Sequence, residues 1–411
     1  MQIDFTSWIG LALRWFHVMV GIMWIGASFY FVWLDLALRP PARAEDKAAG
    51  VGGELWAVHG GGFYHKKKYL VAPPGMPEEL HWFKWEAYLT FISGFLLLCT
   101  VYYLNAKLYL IDDSVRRLEP WQAIVIGLAF ILGGWIVYDL LCRSPLGRDD
   151  RLVALIWAAV LVASAYALCH IFSGRGAFIH VGAMIGTVMA ANVFAIIIPN
   201  QKKTVAIMLK GEKPPAHYGQ IAKQRSMHNN YMTLPVLLIM ISNHYPMLYT
   251  VPYNWLILSA LCLASVPIRE FFNQKDRGNV NYGYAAAGVA AFLVVMIAAS
   301  RAVAPAPVAV AGEKVSPREV RRIVRTHCSP CHSDTPLHAG IPSAPKGIMF
   351  DTMDEIKQHA AEIEQQAVKS NYMPLGNETK MTPEERARLG IGLQALTASR
   401  PATSAAAKPA M

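Results

Sequence analysis

Long apolar runs separated by short polar segments fill the first three quarters of the chain. Apolar runs of roughly 17–25 residues have the length of a helix that crosses a bilayer. The pattern predicts eight such helices, at residues 8–35, 86–106, 121–142, 151–172, 178–198, 230–248, 252–271 and 282–301. The sixth run is the weakest, because Pro235 and Asn243 interrupt it. The prediction is therefore an all-α fold whose larger part is a polytopic bundle of eight membrane helices.

The pattern changes after the eighth run, where a Pro/Ala-rich stretch favours a semi-rigid linker. Beyond it, three helix starts repeat one signal, a Ser or Thr followed by Glu three residues later, at Ser316, Thr352 and Thr382. These starts predict a small helical domain, and the Ala/Ser/Pro-rich end of the chain predicts disorder. The predicted membrane domain, linker, helical domain and tail occupy residues 1–303, 304–315, 316–397 and 398–411.

Composition and charge agree with a membrane protein. Of the 411 residues, 54% are hydrophobic and only 16% are charged, against about 25% in soluble domains. The net charge of +10 lies largely in loops beside the predicted spans, so we expect the lipid bilayer as a partner and no nucleic acid. With the N-terminus outside, the inner loops carry 18 Lys and Arg residues and the outer loops four. The positive-inside rule therefore places both the N-terminus and the helical domain outside.

One cysteine motif stands in the helical domain, Cys328-Ser329-Pro330-Cys331-His332. This spacing is the pattern for covalent attachment of a c-type haem, in which each thiol forms a thioether and the histidine binds the iron. The alternatives are a chance occurrence of the motif and half of a zinc site. A zinc site would need two further ligands nearby, but no second CxxC or HxxxH follows. Cytochrome c maturation occurs on the outer side of an energy-transducing membrane, so motif and loop charges predict the same topology.

The second axial ligand of such a haem should be a methionine or a histidine, and Met/His ligation raises the reduction potential. Met373 is favoured because it lies in a non-helical loop, Tyr372 to Asn377, between two predicted helices. A loop can bring a thioether over the exposed haem face, whereas Met353 opens a helix and His359 lies within one. The remaining candidates are Met349, Met381 and His338.

Ionisable residues inside membrane spans are costly and suggest function. Four histidines from different spans lie toward the outer side, namely His17, His170, His180 and His244. They could ligate a second, non-covalent haem b, with His17 the best single ligand candidate. The alternative is that histidines near span ends are hydrated or bonded to backbone carbonyls.

Two unusual polar segments lie toward the inner side. Residues 54–68 contain His59, three consecutive glycines, His65 and three lysines, a composition that favours an anion. Arg225 to Tyr231 offers a cation, an imidazole and two amides at the start of the sixth span, which suits a planar anionic heterocycle. The alternative is that the lysines only set topology and that the glycines only make a flexible loop.

These segments resemble the bacterial membrane-bound urate hydroxylases, in which an eight-span urate oxidase domain is fused to a C-terminal cytochrome c. The resemblance rests on Arg14-Trp15-Phe16-His17, on His59 to His65, on Arg225 to Pro235 and on Ser242-Asn243-His244-Tyr245-Pro246. It implies oxidation of urate to 5-hydroxyisourate in purine breakdown, at the bacterial inner membrane with the cytochrome domain in the periplasm. Electrons would pass to a respiratory cytochrome or terminal oxidase, so no hydrogen peroxide should form.

The resemblance implies the haem c ligands, which map onto Cys328, Cys331, His332 and Met373, but it carries over no catalytic residue of the membrane domain. From residue type and predicted depth, we predict His228 or His65 as the catalytic base and Arg225 as a clamp for the urate monoanion. Substrate contacts are predicted from His59, Asn229 and Glu86. The rival functions are a cytochrome c-linked dehydrogenase for another small anion, a quinol-oxidising cytochrome and a redox-sensing transporter. The sequence predicts no particular oligomeric state.

Overall fold

The computed structural model describes residues 5–302, 315–338, 341, 343–370 and 372–398. Over residues 5–302 its elements are α1 (Phe5–Ala37), α2 (Ala44–Ala48), β1 (Val51–His59), β2 (Gly62–Tyr69), α3 (Trp85–Leu97), α4 (Ala106–Tyr109), α5 (Pro120–Arg143), α6 (Asp150–Cys169), α7 (Gly174–Ala191), α8 (Ile198–Met208), α9 (Ala216–Ser242), α10 (Asn254–Asp276) and α11 (Tyr282–Ala302). The C-terminal part contains α12 (Pro317–His327), α13 (Met353–Gln358), α14 (Ala360–Ile363) and α15 (Pro383–Ala398). The all-α prediction is confirmed, with one β-hairpin added.

Seven of the helical stretches within the described residues are long and apolar enough to cross a membrane. They are α1, α3 with its π-helical extension Leu98–Tyr103, α5, α6, α7 continued through Asn192–Ile197 into α8, α10 and α11. The predicted sixth span corresponds to α9, which is long enough but carries Arg225, His228 and Asn229 along one side. Its polar face lowers its average hydropathy, so it is not among the seven. Seven spans are thus supported by composition.

The central element of the bundle is α7, which packs against α3, α5, α6 and α9. Its neighbours approach closely because small residues face large ones. A Cβ added to Gly134 would lie 2.3 Å from Cγ of Met184, and one added to Gly182 would lie 2.6 Å from Cγ2 of Ile239. Small residues at helix contacts are the usual means of close packing in membranes, where apolar burial alone does not drive association.

The segment of residues 54–68, for which a flexible glycine loop was the alternative to an anion site, belongs to a β-hairpin. Strands β1 and β2 pair in antiparallel register, with Trp56 opposite His65 and Val58 opposite Phe63. The turn between them is Gly60-Gly61, and both residues have positive φ, +58° and +80°. Two-residue hairpin turns with positive φ at both positions strongly prefer glycine, so the glycines make a turn rather than a flexible stretch.

The three predicted helix starts in the C-terminal part are all present. The hydroxyls of Ser316, Thr352 and Thr382 each accept a hydrogen bond from the backbone N–H three residues later. The predicted second helix is broken at His359, where α13 ends and α14 begins. These helices enclose a hydrophobic core of their own, centred on Val320, Ile323 and Leu389.

The domain boundaries stay predictions. Apart from Val315, the predicted linker 304–315 lies outside the described residues, and so does the predicted tail 398–411 apart from Ala398.

Candidate functional site

A buried ion pair joins α9 to α5 toward the predicted inner side. The guanidinium of Arg225, only 2% exposed, donates to the Asp139 carboxylate over 2.8 Å and to Oδ1 of Asn192 over 3.2 Å. The same guanidinium lies 5.1 Å from the ring centre of Tyr138. The exposed Arg143 donates to the other oxygen of Asp139 at 2.6 Å. The charge of Arg225 is therefore met inside the protein.

His228, one turn further along α9, completes a polar chain. The Tyr138 hydroxyl lies 2.7 Å from Nδ1 of His228 and accepts a hydrogen bond from Nδ2 of Asn192 at 3.3 Å. The hydroxyl thus joins Asn192 and His228 through two hydrogen bonds. Nε2 of His228 then faces a carboxylate oxygen of Asp150 at 3.4 Å, an ion-pair distance without hydrogen-bond geometry. A chain of contacts through Tyr138 and His228 thus connects the buried Arg225 ion pair to the exposed carboxylate of Asp150.

Asn229 belongs to the same cluster. Its Oδ1 accepts from Nδ2 of Asn192 at 2.8 Å, and its Nδ2 donates to the Met189 carbonyl at 3.0 Å. Three predicted site residues, Arg225, His228 and Asn229, are therefore brought together. Their partners Tyr138, Asp139 and Asn192 come from α5 and from the π turn after α7.

The other inner-side candidates lie elsewhere. Nε2 of His65 is 2.7 Å from a carboxylate oxygen of Glu54, and its ring stacks on Trp56 at 4.2 Å. The Ala42 N–H and the His65 imidazole hold the pKa of the Glu54 carboxyl below its usual range. His59 is exposed at the hairpin end, and Glu86 is half-buried in the first turn of α3. The hydrogen bonds of His65 within residues 5–302 stay inside the hairpin.

The four outer histidines have four different surroundings. Nδ1 of His17 bonds Oγ of Ser93 at 2.9 Å, and His17 packs on Gly94. His180 is fully buried, with Nδ1 on the Gly176 carbonyl at 2.8 Å and Nε2 on the Tyr103 hydroxyl at 3.2 Å.

The remaining two histidines lie nearer to solvent. His170 bonds the carbonyl of Tyr166 in its own helix at 2.7 Å, and His244 is exposed. The surroundings of His17 do not test its predicted role as an iron ligand. Among the described residues, no three His, Cys, Asp or Glu side chains are placed to hold a metal ion. A second haem stays a prediction.

The residues of the cysteine motif fit a c-type haem. Both thiols are free, with Cys328 buried at the end of α12 and Cys331 half-buried. Burial lowers the pKa of His332 and so favours its neutral form. Nδ1 of His332 lies 3.0 Å from the Ile348 carbonyl, to which only a protonated nitrogen can bond. Nε2 is then the unprotonated nitrogen, as an iron ligand requires. The hydrogen bond from Nδ1 to the Ile348 carbonyl orients the imidazole ring.

The loop that carries Met373 lies against one end of the bundle formed by the N-terminal helices. Tyr372 packs on their hydrophobic core, with its ring centre 5.8 Å from that of Tyr249. A Cβ added to Gly376 would lie 3.0 Å from the Ile111 carbonyl oxygen and 3.3 Å from that of Lys107. Gly376 therefore permits the close approach. These contacts lie in loops that the charge pattern places outside.

Two arginines that contact aromatic rings inside the bundle were missed in the sequence. Arg175 donates to the Tyr102 hydroxyl at 3.1 Å and lies 4.6 Å from the ring centre of Tyr109, beneath the Met373 loop. Arg269 is 5% exposed between α1, α9 and α10. The sequence did contain a signal for Arg269. Arg269 and Glu270 are charged residues inside the apolar run of the predicted seventh span, and charged residues in a span suggest function.

Comparison with known proteins decides the family. Residues 4–300 match the family model described as urate oxidase N-terminal. The chain belongs to the urate oxidase N-terminal family. Neither the curated proteins nor the solved structures give a match.

The matched region of this urate oxidase family member contains both inner-side segments. It includes the cluster of Arg225, His228 and Asn229, the hairpin, and the four outer histidines. The cysteine motif and Met373 lie beyond it. The family therefore supports an oxidoreductase that acts on urate, and the haem assignment rests on the local geometry of His332.

Proposed function

We propose that this protein oxidises urate to 5-hydroxyisourate at the bacterial inner membrane, as a step of purine breakdown. The urate monoanion loses two electrons and one proton, and one water then adds, with its hydroxyl on C5 and its proton on a ring nitrogen. The electrons pass to a c-type haem of the protein itself and on to a respiratory cytochrome or terminal oxidase, so hydrogen peroxide is not made. The observation that carries the substrate is the family match over residues 4–300.

Four residues would hold the haem in this proposal. Cys328 and Cys331 supply the thioether bonds, His332 supplies Nε2, and Met373 supplies its thioether sulfur. When bound, the haem supplies one-electron transfer, with a potential raised by methionine ligation. Arg386 positions the Met373 loop, because its guanidinium donates to the Met373 carbonyl at 2.6 Å.

The proposal includes a membrane topology of eight spans. The N-terminus and the helical domain both lie in the periplasm. Seven helical stretches of the described residues have the composition of spans, and we assign α9 as the eighth. The C-terminal part contacts Tyr249 and the turn at Ile111, both in loops assigned to the outer side. These contacts support a helical domain on the side where haem attachment occurs.

For the inner cluster we propose a proton path. A base must take a proton from urate, and His228 has Tyr138 on one side and Asp150 on the other. Asp150 is 64% exposed, so a proton taken by His228 has a route to water. Arg225, whose charge is met by Asp139, would position Tyr138 rather than clamp the anion.

A haem-reduction assay on the purified protein tests the proposed function. Urate should reduce the haem, and xanthine and a quinol should not, and no hydrogen peroxide should appear. A pyridine haemochrome spectrum of the same sample should show a c-type signal. A b-type signal beside it would support the second haem, and a c-type signal alone would remove it. Reduction by quinol but not by urate would contradict the proposal.

Replacing His228 with alanine should slow urate-dependent haem reduction by about 10²–10⁴-fold, the usual contribution of a general base. His65→Ala tests the alternative base in the hairpin. His217→Ala is the matched control, because His217 is an exposed histidine in the first turn of the same helix. The rates would be measured by stopped-flow absorbance of the haem. Full rates in both His228→Ala and His65→Ala would show that neither histidine is the base.

A further inference from the structure

The second buried arginine, Arg269, forms no direct ion pair within the described residues. Its Nε donates to Oδ1 of Asn230 at 2.5 Å, and its guanidinium lies 4.2 Å from the ring centre of Phe29. No carboxylate of the described residues lies within ion-pair distance of it, and its two terminal nitrogens have no hydrogen-bond acceptor there. The neighbouring Glu270 is engaged by Tyr231 and by Arg277.

Comparison with Arg225 shows why this matters. The two arginines are similarly buried, at 2% and 5% exposure, but only Arg225 contacts a carboxylate. An arginine side chain stays charged in proteins, and a buried charge is costly unless it is paired. The guanidinium of Arg269 is therefore available to pair with an anion from outside the protein.

The groups around Arg269 suit a planar anion. Asn230 and Asn273 are both completely buried, and Nδ2 of Asn230 donates to Oδ1 of Asn273 at 3.1 Å. Nδ2 of Asn273 has no acceptor in hydrogen-bonding geometry among the described residues. The unsatisfied groups are therefore all donors, from a guanidinium fork and an amide, with the ring of Phe29 beside them. Carbonyl and deprotonated ring-nitrogen acceptors on a flat heterocycle match such a set.

We propose that Arg269, Asn230, Asn273 and Phe29 form the binding site for the purine anion. The inference rests on the proposed function, which makes urate the substrate. The guanidinium pairs with the negative edge of the purine, Asn273 donates to a further oxygen, and Phe29 packs against the ring plane. The site lies between α1, α9 and α10, toward the C-terminal ends of α1 and α10, and it takes the anion-binding role that the sequence suggested for Arg225.

Equilibrium dialysis of radiolabelled urate against the purified full-length protein tests this site. Arg269→Gln should weaken urate binding by roughly ten- to a hundredfold, the loss expected for a hydrogen-bonded charge contact. Arg277→Gln is the control, because Arg277 is a half-exposed arginine near the same helix end, and it should bind urate like the unmodified protein. Absorbance of the attached haem reports how much of each variant is assembled.

Asn273→Asp gives a second test that does not remove the buried charge. Aspartate keeps the acceptor for Asn230 and places a carboxylate four residues from Arg269 on the same helix face. This internal counterion should compete with urate and weaken its binding at least tenfold, without loss of assembled protein. Normal urate binding by Asn273→Asp or by assembled Arg269→Gln would overturn the site alone. Failure of the unmodified protein to bind urate would overturn the proposed function together with it.

Discussion

Replacing Asp139 with asparagine should lower the free energy of unfolding by about 3–5 kcal/mol, the cost of leaving a buried charge without its partner. Arg225 is 2% exposed, and Asp139 is the carboxylate it contacts. The loss should appear as a lower unfolding midpoint in detergent and a smaller monodisperse fraction. It should also slow urate oxidation, because Arg225 positions Tyr138 beside His228.

The control for this change is Arg143→Ala. Arg143 contacts the same carboxylate from the other side, but its side chain is 63% exposed. Exposed pairs contribute at most about 1 kcal/mol, so this variant should unfold close to the unmodified protein. Equal destabilisation by Asp139→Asn and Arg143→Ala would show that the buried Arg225 does not depend on Asp139.

Replacing Gly376 with alanine should slow haem reduction by urate about tenfold or more, since small displacements of reacting groups have large effects on rate. The added methyl would lie 3.0 Å from the Ile111 carbonyl oxygen, so the Met373 loop must move away from the membrane helices. Stopped-flow absorbance after mixing with urate would measure the rate, and reduction by dithionite would show that the haem itself is intact.

Gly347→Ala separates this contact from backbone strain. Both glycines have positive φ, +59° for Gly376 and +67° for Gly347, so alanine is strained at either position. A Cβ at Gly347, however, meets no atom within 4 Å. Both variants should therefore lose similar stability, and only Gly376→Ala should lose rate. Equal rates in the two variants would mean that the docked loop does not limit electron transfer.

Features with local causes were predictable from the sequence. The three capped helix starts at Ser316, Thr352 and Thr382 depend on residues three apart, and long apolar runs identify membrane helices by length alone. The hairpin was not predictable in this way. Its second strand contains three consecutive lysines, Lys66 to Lys68, which do not alternate with apolar residues. Its pairing depends on contacts across the turn that single-strand patterns do not contain.

The inner cluster shows the same limit. Arg225, His228 and Asn229 share one side of α9 because residues three and four apart meet on a helix, and their grouping was visible in the sequence. Their partners Tyr138 and Asn192 lie on other helices, so only the packed bundle brings them together. Arg225 therefore looked like a free cation, whereas Asp139 neutralises it.

The contact of the Met373 loop with the membrane helices has a kinetic consequence. A separate electron carrier must diffuse to its donor, so the rate of the exchange depends on the concentrations of both. In the proposed function the acceptor domain belongs to the same chain as the donor, and the two parts are in contact through Tyr372 and Gly376. A short tether alone holds two partners at an effective concentration on the order of millimolar, and docking adds a fixed orientation. Internal transfer should therefore be first order and unaffected by dilution, and only the outward step to the respiratory partner should depend on collision.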